Sequence, residues 1–345
     1  MTPEYRPAWR NIRSGMRWLV VTLAWIAASL TLIFVVLDLL PGDAANLRLG
    51  LDATAEELAA LRAHYGLDRP LTTRLLEWFT GLLSGDLGTT LVTGVPVVTV
   101  IGGALGRTAV LAGLSVIGIL LLGWGGGIAA GMRPGGRVDR ILSSTALAAL
   151  CTPEFVVATV LVLVLATGLG WLPAVSLVPA GGGIFDRPQI LVLPVLTIWV
   201  VGSATLVRLV RPVIARQAAS PHVEAAHLAG LSPVRVLWRH LLPGALAPAA
   251  QASAMLVPYL VGGTIIVERA FAFPGLGSVM VQAVSNREPG LLMACSLIVV
   301  GVTVVAYRLA DLSTTGSAKT GRQRVPTRPR FVTDGPSLAV SGARQ

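Results

Sequence analysis

The sequence predicts an all-α protein, a polytopic membrane helical bundle of about six spans. Three observations carry this prediction. Mean hydropathy is +0.74, with 54% of the 345 residues apolar. Only 13% are charged, about half the share of a soluble domain. Six apolar runs approach the roughly 20 helical residues that a bilayer core about 30 Å thick requires. Gly 38 and Pro 22 stay below the share of a low-complexity chain, so an ordered core is expected.

The runs are 18–40, 105–131, 142–169, 190–210, 245–267 and 291–310. The first follows Arg6, Arg10, Arg13 and Arg17, as a signal peptide would. It is longer than the usual 7–15-residue apolar region and no A-x-A site follows, so it is read as a retained span. Residues 41–100 form a segment outside the spans. There Thr54 and Glu57 make a capping box that opens a helix over 55–65, with Gly66 placed to close it. After Asp68-Arg69-Pro70 comes an amphipathic stretch, 71–83, with Trp78 and Phe79. It suits either the membrane interface or a cover over the bundle mouth.

In the second run Gly123, Gly127 and Gly131 have small-xxx-small spacing, a close helix-packing face. Pro153, Pro194 and Pro258 interrupt the third, fourth and fifth runs, which a membrane bundle tolerates where neighbours re-satisfy the freed carbonyls. The loop 211–240 contains Pro221, Glu224-Ala225-Ala226 and Gly230. These predict a two-turn helix, too short to stand alone, that docks on something. From Leu312 the chain is polar and lacks apolar periodicity; the tail 311–345 is expected to be disordered. The organisation is therefore 1–17, a membrane domain 18–310, and that tail.

Lys+Arg is 27 against Asp+Glu 17, and Lys319 is the only lysine. With the N-terminus inside, inner segments hold 19 basic and 5 acidic residues, outer ones 8 and 10. Such a positive-inside bias puts both termini in the cytoplasm. The basic excess thus reads as topology and gives no support for nucleic-acid binding.

Soluble chemistry finds little footing. Cys151 and Cys295 fall inside runs and read as packing residues. His222 and His227 are five apart, roughly 140° around a helix, so they cannot share a zinc as H-E-x-x-H does. No histidine lies at membrane depth to serve an intramembrane serine hydrolase. Lys319 follows Ala318, so there is no Walker A motif, and any ATP must bind elsewhere. Glu154, beside Pro153, is an acidic residue inside a run. It is a candidate for the substrate pathway, for pairing with a partner arginine, or for an interfacial position.

Glu224-Ala225-Ala226, Gly230 and Pro243 resemble the EAA motif of binding-protein-dependent ABC importer permeases. The likeness extends over about 15–310. It runs through Leu39-Leu40-Pro41-Gly42-Asp43, Tyr65-Gly66-Leu67-Asp68-Arg69-Pro70-Leu71, Ser84-Gly85-Asp86-Leu87-Gly88-Thr89-Thr90, Gly170-Trp171-Leu172-Pro173-Ala174 and Phe273-Pro274-Gly275-Leu276-Gly277. Together these resemble the first permease subunit of the dipeptide/oligopeptide/nickel subfamily. Ala229 stands where that subfamily usually has Lys, and Ser313-Thr314-Thr315 replaces its usual Asp-Pro-Arg.

The resemblance implies a type I ABC importer transmembrane fold in a bacterial cytoplasmic membrane. It implies a second homologous permease, two cytoplasmic ATPase subunits that bind ATP and Mg, and an external solute-binding protein. Glu224, Ala225, Ala226 and Gly230 would form the coupling helix against an ATPase. The chain itself would bind no cofactor and catalyse no covalent step; its cargo would be di- or oligopeptides, with nickel not separable. The alternative is a stand-alone secondary transporter or channel, which usually carries paired titratable groups at mid-membrane.

Overall fold

Proline and glycine punctuation decides where the apolar sequence breaks into helices. The computed structural model describes residues 8–50, 53–179 and 182–320. Its first helix, α1, covers Ala8–Asp38. Three short helices follow: α2 (Ala44–Leu49), α3 (Ala55–Tyr65) and α4 (Leu71–Ser84). Then come α5 (Val97–Gly131), α6 (Arg137–Cys151) and α7 (Glu154–Leu161), which runs on into a π-helical stretch, Val162–Gly168. Next are α8 (Gln189–Ala218), α9 (Pro221–Leu228) and α10 (Pro233–Val236), with a second π-helical stretch over Leu237–Leu241. Last are α11 (Leu242–Ala254), α12 (Leu256–Ala270), α13 (Leu276–Ser285) and α14 (Pro289–Thr320).

Among the described residues, four helices are long and apolar enough to cross a membrane unbroken: Met16–Asp38, Val97–Gly131, Gln189–Ala218 and Pro289–Arg308. The other two expected spans are bent pairs, at 102° between Arg137–Cys151 and Glu154–Gly168, and at 47° between Pro233–Ala254 and Tyr259–Ala270. Pro153 explains the first bend. It pushes Thr152 into an extended conformation (φ −95°, ψ 121°), and the Thr152 N–H turns back to the Ala149 carbonyl at 3.2 Å. Pro194 does not break α8. The carbonyl it leaves free belongs to Ile190, and the buried Ser176 hydroxyl donates to that oxygen at 2.6 Å.

The main core lies between α5 and α8, and glycines set their separation. A Cβ on Gly123 would come 2.6 Å from Leu206, and one on Gly127 2.7 Å from the Val210 Cβ. At Gly131 it would meet the Arg211 carbonyl and Ile214, both at 2.7 Å. On Gly118 it would overlap the Trp199 ring. The small-residue stripe is therefore a backbone-approach surface.

The 41–96 segment is held by local chemistry. Asp43 caps α2 through the Asn46 N–H (2.9 Å) and pairs with Arg62 (2.6 Å). Partial burial pushes the Asp43 carboxyl up, but the Asn46 N–H and the Arg62 guanidinium outweigh it and hold it below the ordinary range. The Thr54–Glu57 capping box is formed, and Gly66 ends α3 in the left-handed region. Leu71, Leu75, Trp78 and Phe79 of α4 pack on Leu30 and Phe34 of α1 and on Met293 of α14. Arg74 pairs with Asp38 at the end of α1 (2.7 Å). Thus α4 braces the α1–α14 side.

Two features depart from expectation. The short apolar helix α13 was not foreseen as a separate element. The last helix also continues to Thr320, past Leu312 where the tail was expected to lose order. No proline interrupts it before Pro326, and extending a formed helix is far easier than starting one. The rest of the expected tail, 321–345, lies outside the described residues.

Candidate functional site

The strongest candidate site is the loop between α8 and α11. Helix α8 ends at Ala218, and a short turn through Ala219 and Ser220 leads into α9, with Pro221 in its first turn. Proline suits that position because its missing N–H would have no helical partner. The helix closes in a Schellman arrangement: the Gly230 N–H reaches the His227 carbonyl (3.0 Å) and the Leu231 N–H the Ala226 carbonyl (3.3 Å). Gly230 has φ +75°, and a Cβ there would meet nothing within 4 Å. Glycine is thus needed for its backbone angle and not for clearance.

The four residues singled out from sequence divide between two faces. Glu224, Ala225 and Gly230 are exposed. Ala226 is buried with Val223, and both join the core with Ile214, Val236 and Leu241. The expectation that Ala226 offers an approach surface to a partner is therefore corrected: it docks α9 onto its own bundle. A ring nitrogen of His222 adds to this docking, 3.2 Å from the His240 carbonyl and 3.1 Å from the Gln217 amide. The free face carries Glu224, Ala225, His227 and Leu228, the last 83% exposed. Nearby Val234 and Trp238, each 67% exposed, extend an apolar surface.

Above this loop, Arg211 of α8 grips Asp139 of α6 with two nitrogens, Nη2 to Oδ2 at 2.7 Å and Nε to Oδ1. Asp139 is 3% exposed and also accepts from the Gly135 N–H (2.8 Å) and the Ser143 hydroxyl (3.0 Å). The sequence reading counted both residues as topological charge. The burial of Asp139 and the bidentate geometry make the pair a joint.

Glu154 stands at the start of α7, on the 102° bend. Its Oε1 lies where a Cβ on Gly263 of α12 would come within 2.8 Å, and its Oε2 is buried without a hydrogen-bond partner. The Tyr259 hydroxyl, also on α12, is likewise unpartnered.

Another carboxylate, Glu268, was not singled out from the sequence because it lies one residue past the expected fifth run. Glu268 is fully buried. It accepts from the Thr108 hydroxyl (2.5 Å) and the Ser278 N–H (3.1 Å), while Thr108 accepts from the Leu276 N–H (2.7 Å). Arg107 donates to the Pro274 carbonyl at 2.5 Å. A Cβ on Gly275 would overlap the Glu268 carboxylate, and one on Gly277 would fall 2.6 Å from the Ile265 Cα. The Phe273–Gly277 motif is thus a knot that ties α5, α12 and α13 together. A proline followed by two glycines one residue apart was its signal in the sequence.

Residues 123–316 match the family described as the binding-protein-dependent transport system inner membrane component, and residues 12–98 match its N-terminal region. The chain belongs to this family. It is 30% identical over 300 residues to a probable peptide ABC transporter permease, y4tP, of Sinorhizobium fredii, covering 87% of this chain and 96% of that one. The oligopeptide transport system permease AppB of Bacillus subtilis is 30% identical (81% and 89% covered). The glutathione transport system permease GsiC of Salmonella choleraesuis is 31% identical (80% and 87%). An inward-facing structure of the MetNI methionine ABC transporter aligns with TM-score 0.47 at 16% identity, covering 62% of this chain and 96% of that one. As a multi-pass membrane component of a multi-subunit transport system, this family member is not the solitary transporter or channel considered from sequence.

Proposed function

We propose that this family member is the first of two homologous permease subunits of an ATP-driven importer for di- or oligopeptides. The peptide and glutathione transport named for its relatives supports the cargo class. The observation that carries the mechanical reading is the two-faced α9, locked to its own bundle by Val223 and Ala226 and leaving Glu224, Ala225 and Leu228 free. In this reading two cytoplasmic ATPase subunits bind ATP and Mg, an external solute-binding protein delivers cargo, and the chain itself performs no covalent chemistry. Closure of the ATPases pushes α9. The push enters α8 through the Ala219–Ser220 turn, crosses to α6 through Arg211 and Asp139, and reaches the bend where Glu154 faces the transport route. That is a two-position element biased from one end.

Two experiments test it. With Leu228→Cys in a background lacking Cys151 and Cys295, a bifunctional thiol reagent is expected to crosslink the chain to an ATPase subunit. Crosslinking only to lipid or to nothing would sink the coupling role. The positive-inside charge count supports a cytoplasmic position for α9. Ala60→Cys is therefore expected to label from outside in intact cells, and Ala225→Cys only after permeabilisation. External labelling at position 225 would reverse the orientation.

A further inference from the structure

Each bent span carries a polar side chain at the start of its second half, and the two side chains adjoin. Glu154 is the first residue of α7, directly after the 102° bend. Tyr259 opens the second half of the 47° pair, in the first turn of α12. Tyr259 and Gly263 are four apart and so share one face of α12. That face receives Glu154: a Cβ on Gly263 would fall 2.8 Å from Oε1 and 3.1 Å from Oε2. The Tyr259 hydroxyl bears on the same carboxylate. An edge of the tyrosine ring also reaches α8, 3.6 Å from where a Cβ on Gly202 would stand. Tyr259 is thus seated between the α5–α8 core and the first bend.

Close as they are, the two groups do not complete a hydrogen bond. Glu154 Oε2 and the Tyr259 hydroxyl are both buried, and each lacks a partner among the described residues. Polar groups left this way destabilise the conformation that holds them. Neither has to reach solvent or a ligand to be satisfied, because each is the complement of the other: the hydroxyl donates and the carboxylate accepts. What keeps them apart is the setting of the two bends.

We infer that Glu154 and Tyr259 form a state-dependent latch between the two bent spans. In the opposite position of the cycle the Tyr259 hydroxyl donates to Glu154 Oε2, and this bond makes the two bends move together. The conformation described above, with both atoms unpartnered, is the unlatched one. The inference rests on the alternation proposed for the chain and extends the route of the push from the first bend into α12. Glu154 is then a positioning residue that acts through α12 and needs no contact with cargo. Such a bond biases a two-position element by being available in only one position.

Spin-label distances in the assembled complex in nanodiscs test this, in a background with Cys151 and Cys295 replaced. Leu147→Cys with Leu163→Cys spans the first bend, and Leu246→Cys with Ile266→Cys spans the second; all four side chains are exposed. Distances are read without nucleotide, then with a non-hydrolysable ATP analogue and Mg. Without the substitutions at 154 and 259, both pairs are expected to gain a second distance with the analogue, in the same proportion. Tyr259→Phe keeps the ring and is expected to cut that proportion about tenfold in both pairs, the worth of a hydrogen bond to a charged group. Glu154→Leu should do the same, and Glu154→Gln, which keeps an acceptor, should do less. Glu154→Leu with Tyr259→Phe should go no further than either alone. Unchanged proportions in Tyr259→Phe, additive shifts in the double variant, or a shift confined to one pair overturns the latch. Gln as damaging as Leu overturns it in favour of an ion pair. All of these leave the alternation standing, whereas a single unchanged distance in both conditions without those substitutions removes the alternation and the latch with it.

Discussion

Ala225→Arg is expected to abolish ATP-driven uptake while leaving the chain folded and inserted. Ala225 lies on the free face of α9, so the longer side chain meets nothing within the protein. At a close protein contact, a buried unpaired guanidinium costs several kcal/mol, and a loss above about 3 kcal/mol is more than a hundredfold in occupancy. Uptake and stimulation of ATP hydrolysis by loaded binding protein should both fall at least tenfold. Gly230→Asp should act in the same direction by straining a left-handed position, at roughly 1–2 kcal/mol. Ala226→Arg should behave differently. Ala226 is buried against the bundle, so that change dislodges α9 and lowers the yield of assembled complex as well. Wild-type uptake by Ala225→Arg at equal expression would remove the coupling role.

The second large effect is expected at the Glu268 knot. Glu268→Ala strips the Thr108 hydroxyl and the Ser278 N–H of their acceptor, about 1–3 kcal/mol each in a buried site. Gly275→Ala forces a methyl group into the carboxylate, and overpacking of this kind costs about 1–3 kcal/mol. Each change should lower the thermal stability of the purified complex. Together they should be less harmful than their sum, since removing the carboxylate makes room for the methyl group. Strictly additive losses would show that the two do not share space.

Much of this was legible in the sequence where local chemistry decides. The Thr54–Glu57 box, the Gly66 stop and the Pro221–Gly230 helix follow from residues within one or two turns, and they form where expected. The apolar runs and the Gly123–Gly131 stripe show themselves by spacing. What stayed hidden depends on partners far along the chain. Ser176 satisfies the Ile190 carbonyl that Pro194 leaves free, and α8 continues through that proline, whereas Pro153 sits at the 102° bend of its span. The division of the Glu224–Ala226 motif into a docked and a free face is equally long-range, because Val236 and Leu241 create the surface that claims Ala226. The Asp139–Arg211 joint spans 72 positions, and Glu268 reaches 160 back to Thr108.

The glycine contacts between α5 and α8 carry a consequence for the working cycle. Where one helix meets the Cβ atoms of another with no side chain between them, a slip of about 1.5 Å, one residue's rise, takes Leu206, Val210 and Ile214 off the glycines that make room for them. The pair is therefore a beam that can tilt but cannot shear or telescope. In the proposed alternation between two states, movement is therefore expected at the kinks after Cys151 and after Ala254, which lie outside this pair. Stiffening either hinge should stall the cycle more effectively than any alteration along the beam itself.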